Sequence, residues 1–236
     1  MGMSVPLRHV AYRSVLLLFI ASGCNEGRSV TGHGPDAEGT HPPPVAGTHQ
    51  PVRSPAEIAA LLHQYHHERD YERLAPLIVA DRRVRTIGFI RQMDAVLKNQ
   101  ARVREAATRR FGAILADAWD LSAIEDNLGV FSSRCRIVNQ SFKGDEAIVT
   151  LQEGDHVPLV HARFARTAEG WRYRPEETPL AILAELDALA GVLEDIAESI
   201  KSGAGFDTYV NAFGTKVLPQ MGRVVAVGDE RMANGE

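Results

Sequence analysis

From Ser54 onward, apolar residues recur first at intervals of three and four, then at two, then again at three and four. Ser54-Pro55-Ala56-Glu57 predicts a helix start, because Ser and Glu three apart satisfy each other's backbone amides and Pro suits the first helical position. Ile58, Leu61, Leu62 and Tyr65 follow at i, i+3, i+4 and i+7, which makes one face apolar. His63, His66 and His67 lie mostly off that face and read as a solvated polar surface. Their spacing suits a metal, but no Cys or carboxylate is obviously placed to complete a site. Asp70 opens a short second helical piece, DYERLAPLIVA, which Pro76 interrupts. A long helix is predicted from about Asp81 to Phe111, with Ile87, Ile90, Met93, Val96 and Leu97 as its apolar stripe. Another, around Leu121 to Leu128, closes the first half.

The period then changes to two. Cys135 to Phe142, a Lys143-Gly144-Asp145 turn and Glu146 to Gln152 predict a hairpin. Val157 to Arg166 predicts a longer strand, which a turn at Ala168-Glu169-Gly170 returns through Trp171 to Arg174. Four strands in sequence joined by short turns form an antiparallel meander. After Glu176-Glu177-Thr178-Pro179, which reads as a capped start, a helix runs from Leu180 to Ser202. Its core stripe is Leu183, Leu186, Leu189, Leu193, Ile196 and Ile200. Phe206 to Met221 supply a last helix with Tyr209, Phe213 and Val217 inward, and residues 223–236 form a frayed tail. The expected fold class is α+β, in one domain spanning 54–222.

Ahead of this domain, Arg8 and Arg13 precede the apolar run Val15 to Ile20 and then Ala21-Ser22-Gly23-Cys24. The ten uncharged residues Ser14 to Gly23 cover about 15 Å as a helix, half of a hydrocarbon core of about 30 Å. The stretch is too short to span, and it follows the anatomy of a cleaved signal peptide, residues 1–23. Ala21-Ser22-Gly23-Cys24 resembles the bacterial lipobox, which implies lipidation of Cys24 and a place in the cell envelope, held to the membrane by acyl chains. Cys135, the second of two cysteines, then reads as a small buried hydrophobe; a Cys24–Cys135 disulfide is the competing reading.

Residues 24–53 hold almost no large apolar side chains, so they cannot offset their ordering entropy and are expected to be a disordered spacer. They contain a repeat, His33 to Thr40 and then His41 to Thr48, with His49 opening a third copy. His33, His41 and His49 are weak metal candidates, since imidazole ligates Cu and Zn.

Composition narrows the function without naming it. Hydrophobic content of 44% with 24% charged residues suits a globular domain, and a net charge of −4 argues against nucleic-acid binding. Loss of Arg8 and Arg13 with the signal peptide makes the balance more acidic still. The charge is uneven. The helix over 81–111 carries Arg82, Arg83, Arg85, Arg91, Lys98, Arg102, Arg104, Arg109 and Arg110, while the one over 180–202 carries Glu185, Asp187, Glu194, Asp195 and Glu198. The two either pair with each other, or the arginines meet anionic lipid.

Helices followed by a meander, with DYERLAPLI in the second helix, GDEAIVTLQ in the hairpin and the closing Phe164-Ala165-Arg166 … Gly170-Trp171-Arg172, resemble the nuclear transport factor 2-like family. The resemblance implies a curved sheet wrapping a helix in a cone. That family includes isomerases and dehydratases as well as binding modules, so catalysis would need titratable groups in the cone mouth. His161, Tyr173 and Asp155 (beside His156) are weak candidates, with Arg163 and Arg172 as rim residues. No hydrolase, phosphate-binding or CxxC motif is present, and no cofactor is expected. The reading is a non-catalytic domain for a small apolar ligand or a protein partner; a cone enzyme and metal capture by the histidine repeat are the alternatives. Removing His33, His41 and His49 together should leave envelope metal content unchanged; a fall would show capture.

Overall fold

The computed structural model describes residues 53–112, 128–132, 135–153 and 159–233. Residues 1–52, which hold the expected signal peptide and all but Arg53 of the expected spacer, lie outside them, as do the predicted helix before Leu128, Asp155 and His156. The architecture is α+β: a four-stranded antiparallel sheet with helices before and after it. Among the described residues no helix is long and apolar enough to cross a membrane.

Helix α1 (Pro55–His67) starts at the expected capping box, with Ser54 Oγ accepting from the Glu57 amide and Glu57 Oε2 from the Ser54 amide. It ends in a Schellman motif. The Asp70 amide donates to the Tyr65 carbonyl at 2.8 Å and the Arg69 amide to the His66 carbonyl at 2.9 Å, with Arg69 left-handed at φ 56°. Helix α2 (Tyr71–Leu74), capped by Asp70, tightens into a 3₁₀ turn (Ala75–Leu77) at Pro76. Ile78 and Val79 then run beside Tyr173, the Val79 amide donating to its carbonyl at 3.0 Å.

Helix α3 (Ala80–Phe111) has 32 residues and is therefore about 48 Å long. A 3₁₀ turn (Gly129–Phe131) leads into β1 (Cys135–Lys143), β2 (Glu146–Glu153), β3 (Val160–Thr167) and β4 (Gly170–Tyr173), paired in that order. Gly144 takes φ 61° in the two-residue loop between β1 and β2, a turn whose twist suits the hairpin. The register puts Val149 opposite Ala162, Ala147 opposite Phe164, and Phe164 opposite Tyr173, all on the face that α1 covers. Phe142 of β1 and Trp171 of β4 meet over Ala147, ring centroids 5.7 Å apart, as the sheet curls towards that face.

Helix α4 (Leu180–Lys201) lies along α3, and the two run parallel, because contacts advance together along both. Gly88 faces Leu183, Asn99 Nδ2 donates to the Ala190 carbonyl at 2.9 Å, and Arg110 reaches the Gly203 and Ala204 carbonyls. The basic and acidic helices therefore pair within the molecule. Arg102 bonds Glu194 and Glu198, each at 2.8 Å, and Arg82 and Arg85 hold Glu177. That employment of Glu177 accompanies a correction: α4 begins at Pro179 without a side-chain cap. The buried stripe starts at Ile182 rather than Leu183, which is partly exposed.

The last helix is also longer than expected. Helix α5 (Phe206–Ala212) passes through a π turn (Phe213–Val217) into α6 (Leu218–Ala233), so residues 223–233 are helical instead of frayed. Pro219 lacks the amide that would bond Thr215, and the wider turn before it absorbs the mismatch. Gln220 Nε2 donates to the Glu185 carboxylate at 2.6 Å, Arg223 Nε to the same group at 3.2 Å, and Val224 packs against the core.

Phe164, Leu62, Leu74, Ile78, Ile90, Leu151 and Leu193 are almost wholly buried, so one apolar core joins sheet and helices. Phe164→Ala should lower unfolding free energy by about 3–5 kcal/mol through the lost transfer energy and the cavity left behind. Arg102→Ala, at the surface, should leave the urea midpoint nearly unchanged. Equal shifts in the two variants would contradict this ranking.

Candidate functional site: a His–Asp–Tyr centre

The strongest cluster of coupled titratable groups joins three helices at the Schellman end of α1. His66, on the last turn of α1, offers Nε2 to Asp94 Oδ1 at 3.0 Å and Nδ1 to the Phe131 carbonyl at 2.8 Å. Tyr71, at the start of α2, donates its hydroxyl to the other Asp94 oxygen, Oδ2. The Arg91 guanidinium lies over the Tyr71 ring, 4.9 Å from its centroid. His66 and Asp94 keep only 11% and 17% of their side-chain surface exposed, so the pair is largely desolvated.

The partners fix the protonation state. A carbonyl oxygen only accepts, so Nδ1 of His66 carries a hydrogen; a carboxylate that already accepts from Tyr71 also only accepts, so Nε2 carries one too. His66 is thus an imidazolium against the Asp94 carboxylate. Burial opposes the charge on His66, but the hydrogen bond to Asp94 and its negative charge outweigh it and raise the imidazole above its ordinary value. Burial likewise pushes the Asp94 carboxyl up, and the bonds from His66 and Tyr71 overcome this and hold it below the ordinary carboxylate range. Burial and then the bond to Asp94 push the Tyr71 phenol up to about 12.

This arrangement is poor machinery for proton transfer. Both imidazole nitrogens are engaged internally, so the ring has no free lone pair to act as a base, and each carboxylate oxygen already accepts from a neighbour. A cavity of about 190 Å³ lies alongside, lined by His63, His67, Arg69, Leu97 and Leu128 as well as the centre itself. Arg69 also borders a more open hollow of about 420 Å³ with Tyr71 and Arg91. Among the described residues no three His, Cys, Asp or Glu side chains converge as metal ligands.

Of the catalytic candidates singled out by the sequence, the two that are described, His161 and Tyr173, are not brought together. His161 points away from the core on the outer face of the sheet, 3.3 Å from Thr150 Oγ1. Tyr173 faces the opposite way, packed between Phe131 and Phe164 at 5.7 and 5.6 Å, and burial raises its phenol above the ordinary value. Asp155, and with it Cys24, His33, His41 and His49, lies outside the described residues. Arg163 and Arg172 share the outer face with His161 instead of rimming a pocket.

The sequence reading missed His66, Tyr71 and Asp94 as a unit. His66 belongs to a buried joint, not the solvated face expected for the α1 histidines. Comparison with protein-family models, with curated proteins and with solved structures finds no match for this chain. One signal was available: Asp94, a rare carboxylate in a basic helix, sits between the stripe residues Met93 and Val96.

The pH dependence follows from the two directions. The raised His66 contributes stability that is complete below its unfolded value of about 6.5 and is lost as pH rises through the folded value. The lowered Asp94 contributes above its unfolded value of about 3.8, and the contribution is lost as pH falls through the folded value. Both are at full strength between about pH 4 and 6.5. Asp94→Asn should destabilise by about 3 kcal/mol at pH 5, as expected when a buried partner is removed, and by less at pH 9. Urea midpoints at the two pH values check this; an equal gap would contradict it.

Proposed function

We propose that this chain is an envelope lipoprotein, anchored through Cys24, whose folded domain is a non-catalytic docking module. The observation that carries the docking half is the filling of the sheet's helix-facing side. Leu62, Leu74, Ile78, Val149, Leu151 and Phe164 occupy it, each with 1% or less of its surface exposed. A ligand or substrate inside the sheet would have to displace them. The internally bonded His66–Asp94–Tyr71 centre supports the same reading.

The anchor rests on Arg8, Arg13, the apolar run and Ala21-Ser22-Gly23-Cys24. The likeness to the nuclear transport factor 2-like family is part of the proposal, resting on the helices-then-meander order and on Phe164-Ala165-Arg166 … Gly170-Trp171-Arg172. Such a module acts through its outer surface, with the acyl chains keeping it at the membrane.

Two readouts test it. In an exporting bacterial host, labelled palmitate should enter the chain, and Cys24→Ala should abolish labelling and release the protein from the membrane fraction. Identical labelling and fractionation of the two would end the anchored reading. The apolar probe anilinonaphthalene sulfonate should gain no fluorescence from the native protein; saturable micromolar binding would reinstate an internal ligand.

A further inference from the structure

The strand register collects most of the sheet's cations on the face turned away from the helices. Lys143, Glu146, Ala165 and Arg172 form one row across the four strands; Ser141, Ile148 and Arg163 form the next, continued by Arg174, whose amide donates to the Arg163 carbonyl at 2.8 Å. Thr150 and His161 follow, then Arg136 beside Gln152. Arg136, Lys143, Arg163, Arg172 and Arg174 therefore share a surface on which Glu146 is the only carboxylate among the described strand residues, and Asp145 and Glu169 sit in the turns at its edge.

Counter-charges on this face are weak. Glu146 stands 3.9 Å from Arg174 and Glu169 takes Arg172 at 3.1 Å, while Lys143 and Arg163 have no ion pair among the described residues. Arg82, Arg85 and Arg102 of α3 differ, since all three are bound to carboxylates elsewhere in the molecule. An acidic chain thus turns a basic face outward that no described residue covers, with Ile148 at its centre 39% exposed.

We propose that this outer face seats on a membrane surface rich in anionic phospholipid. It deepens the docking reading above by naming what is docked. Charge complementarity carries the assignment, because a negatively charged headgroup layer attracts clustered Lys and Arg without a shaped pocket. The tether permits it. A flexible coil of the length between Cys24 and Ser54 would span about 30 Å, and this length of chain joins the domain at α1, whose Ala56 amide donates to Gln140 Oε1 of β1 at 3.3 Å. The chain therefore enters beside the sheet's β1 edge, within reach of the surface that holds the anchor.

The test uses the full chain carrying Cys24→Ala, so that no acyl group contributes, with vesicles of phosphatidylcholine containing 30% phosphatidylglycerol. Each Lys or Arg near an anionic surface contributes a factor of about five. The triple variant Lys143→Gln, Arg163→Gln, Arg174→Gln should therefore bind these vesicles about 100-fold more weakly at low salt, with unchanged circular dichroism. Lys98→Gln with Arg109→Gln, exposed on α3, should leave binding within about two-fold, and raised salt should remove the difference between triple variant and parent. A triple variant that binds like the parent overturns the proposal, as does an equal loss in the α3 pair. Salt-sensitive binding to polyglutamate with none to the anionic vesicles would assign the face to an acidic protein and overturn it too. The vesicle result is independent of palmitate labelling, so loss of the face and loss of the anchor are distinguishable.

Discussion

Asp94 is the joint on which the two halves of the molecule turn. It sits on α3, the long helix whose other contacts are mainly with α4, yet its carboxylate holds His66 of α1 and Tyr71 of α2, and through His66 the carbonyl of Phe131. Phe131 in turn packs on Tyr173 of β4. One ionised side chain thus ties the helical pair to the layer formed by the sheet and α1. A desolvated carboxylate is costly unless it is paired and hydrogen-bonded, and here each of its oxygens takes a strong donor. The same economy that makes the joint stable makes it chemically inert.

The parallel course of α3 and α4 sets a second constraint. Parallel helices place like ends of their dipoles side by side, which is unfavourable without compensation. The compensation is visible at both ends: Glu177 lies near the amino-terminal end, held by Arg82 and Arg85, and Arg110 donates to the carbonyls that follow α4. Asn99, buried in the seam, fixes the register through the Ala190 carbonyl. Employing Arg82, Arg85 and Arg102 internally leaves the outer sheet face as a cationic surface with few counter-charges among the described residues.

Much of this fold was legible in the chain because periodicity reports burial directly. The capping box at Ser54, the break at Pro76, the hairpin at Gly144 and the α4 stripe all follow from local chemistry. What was not legible depended on distant partners. Glu177 looked like part of a helix cap, but arginines 92 and 95 residues away claim it. The chain after Gly222 looked weak in isolation, and Glu185 and the core hold it helical. His66 looked solvent-facing, since nothing near it in sequence announces Asp94 or the Phe131 carbonyl. A candidate site made of residues 28 and 65 apart leaves no short motif to find.

These features converge on a domain whose polar chemistry is turned inward for stability and whose outward resource is a charged sheet face. The measurement closest to the centre of that account is nitrogen-15 NMR of the His66 ring at neutral pH. The account predicts hydrogens on both Nδ1 and Nε2, coupled to slowly exchanging protons, because a carbonyl and a carboxylate are their partners. A ring with one bare nitrogen at pH 7 would mean an available base beside the 190 Å³ cavity, and would contradict the view that this centre is structural.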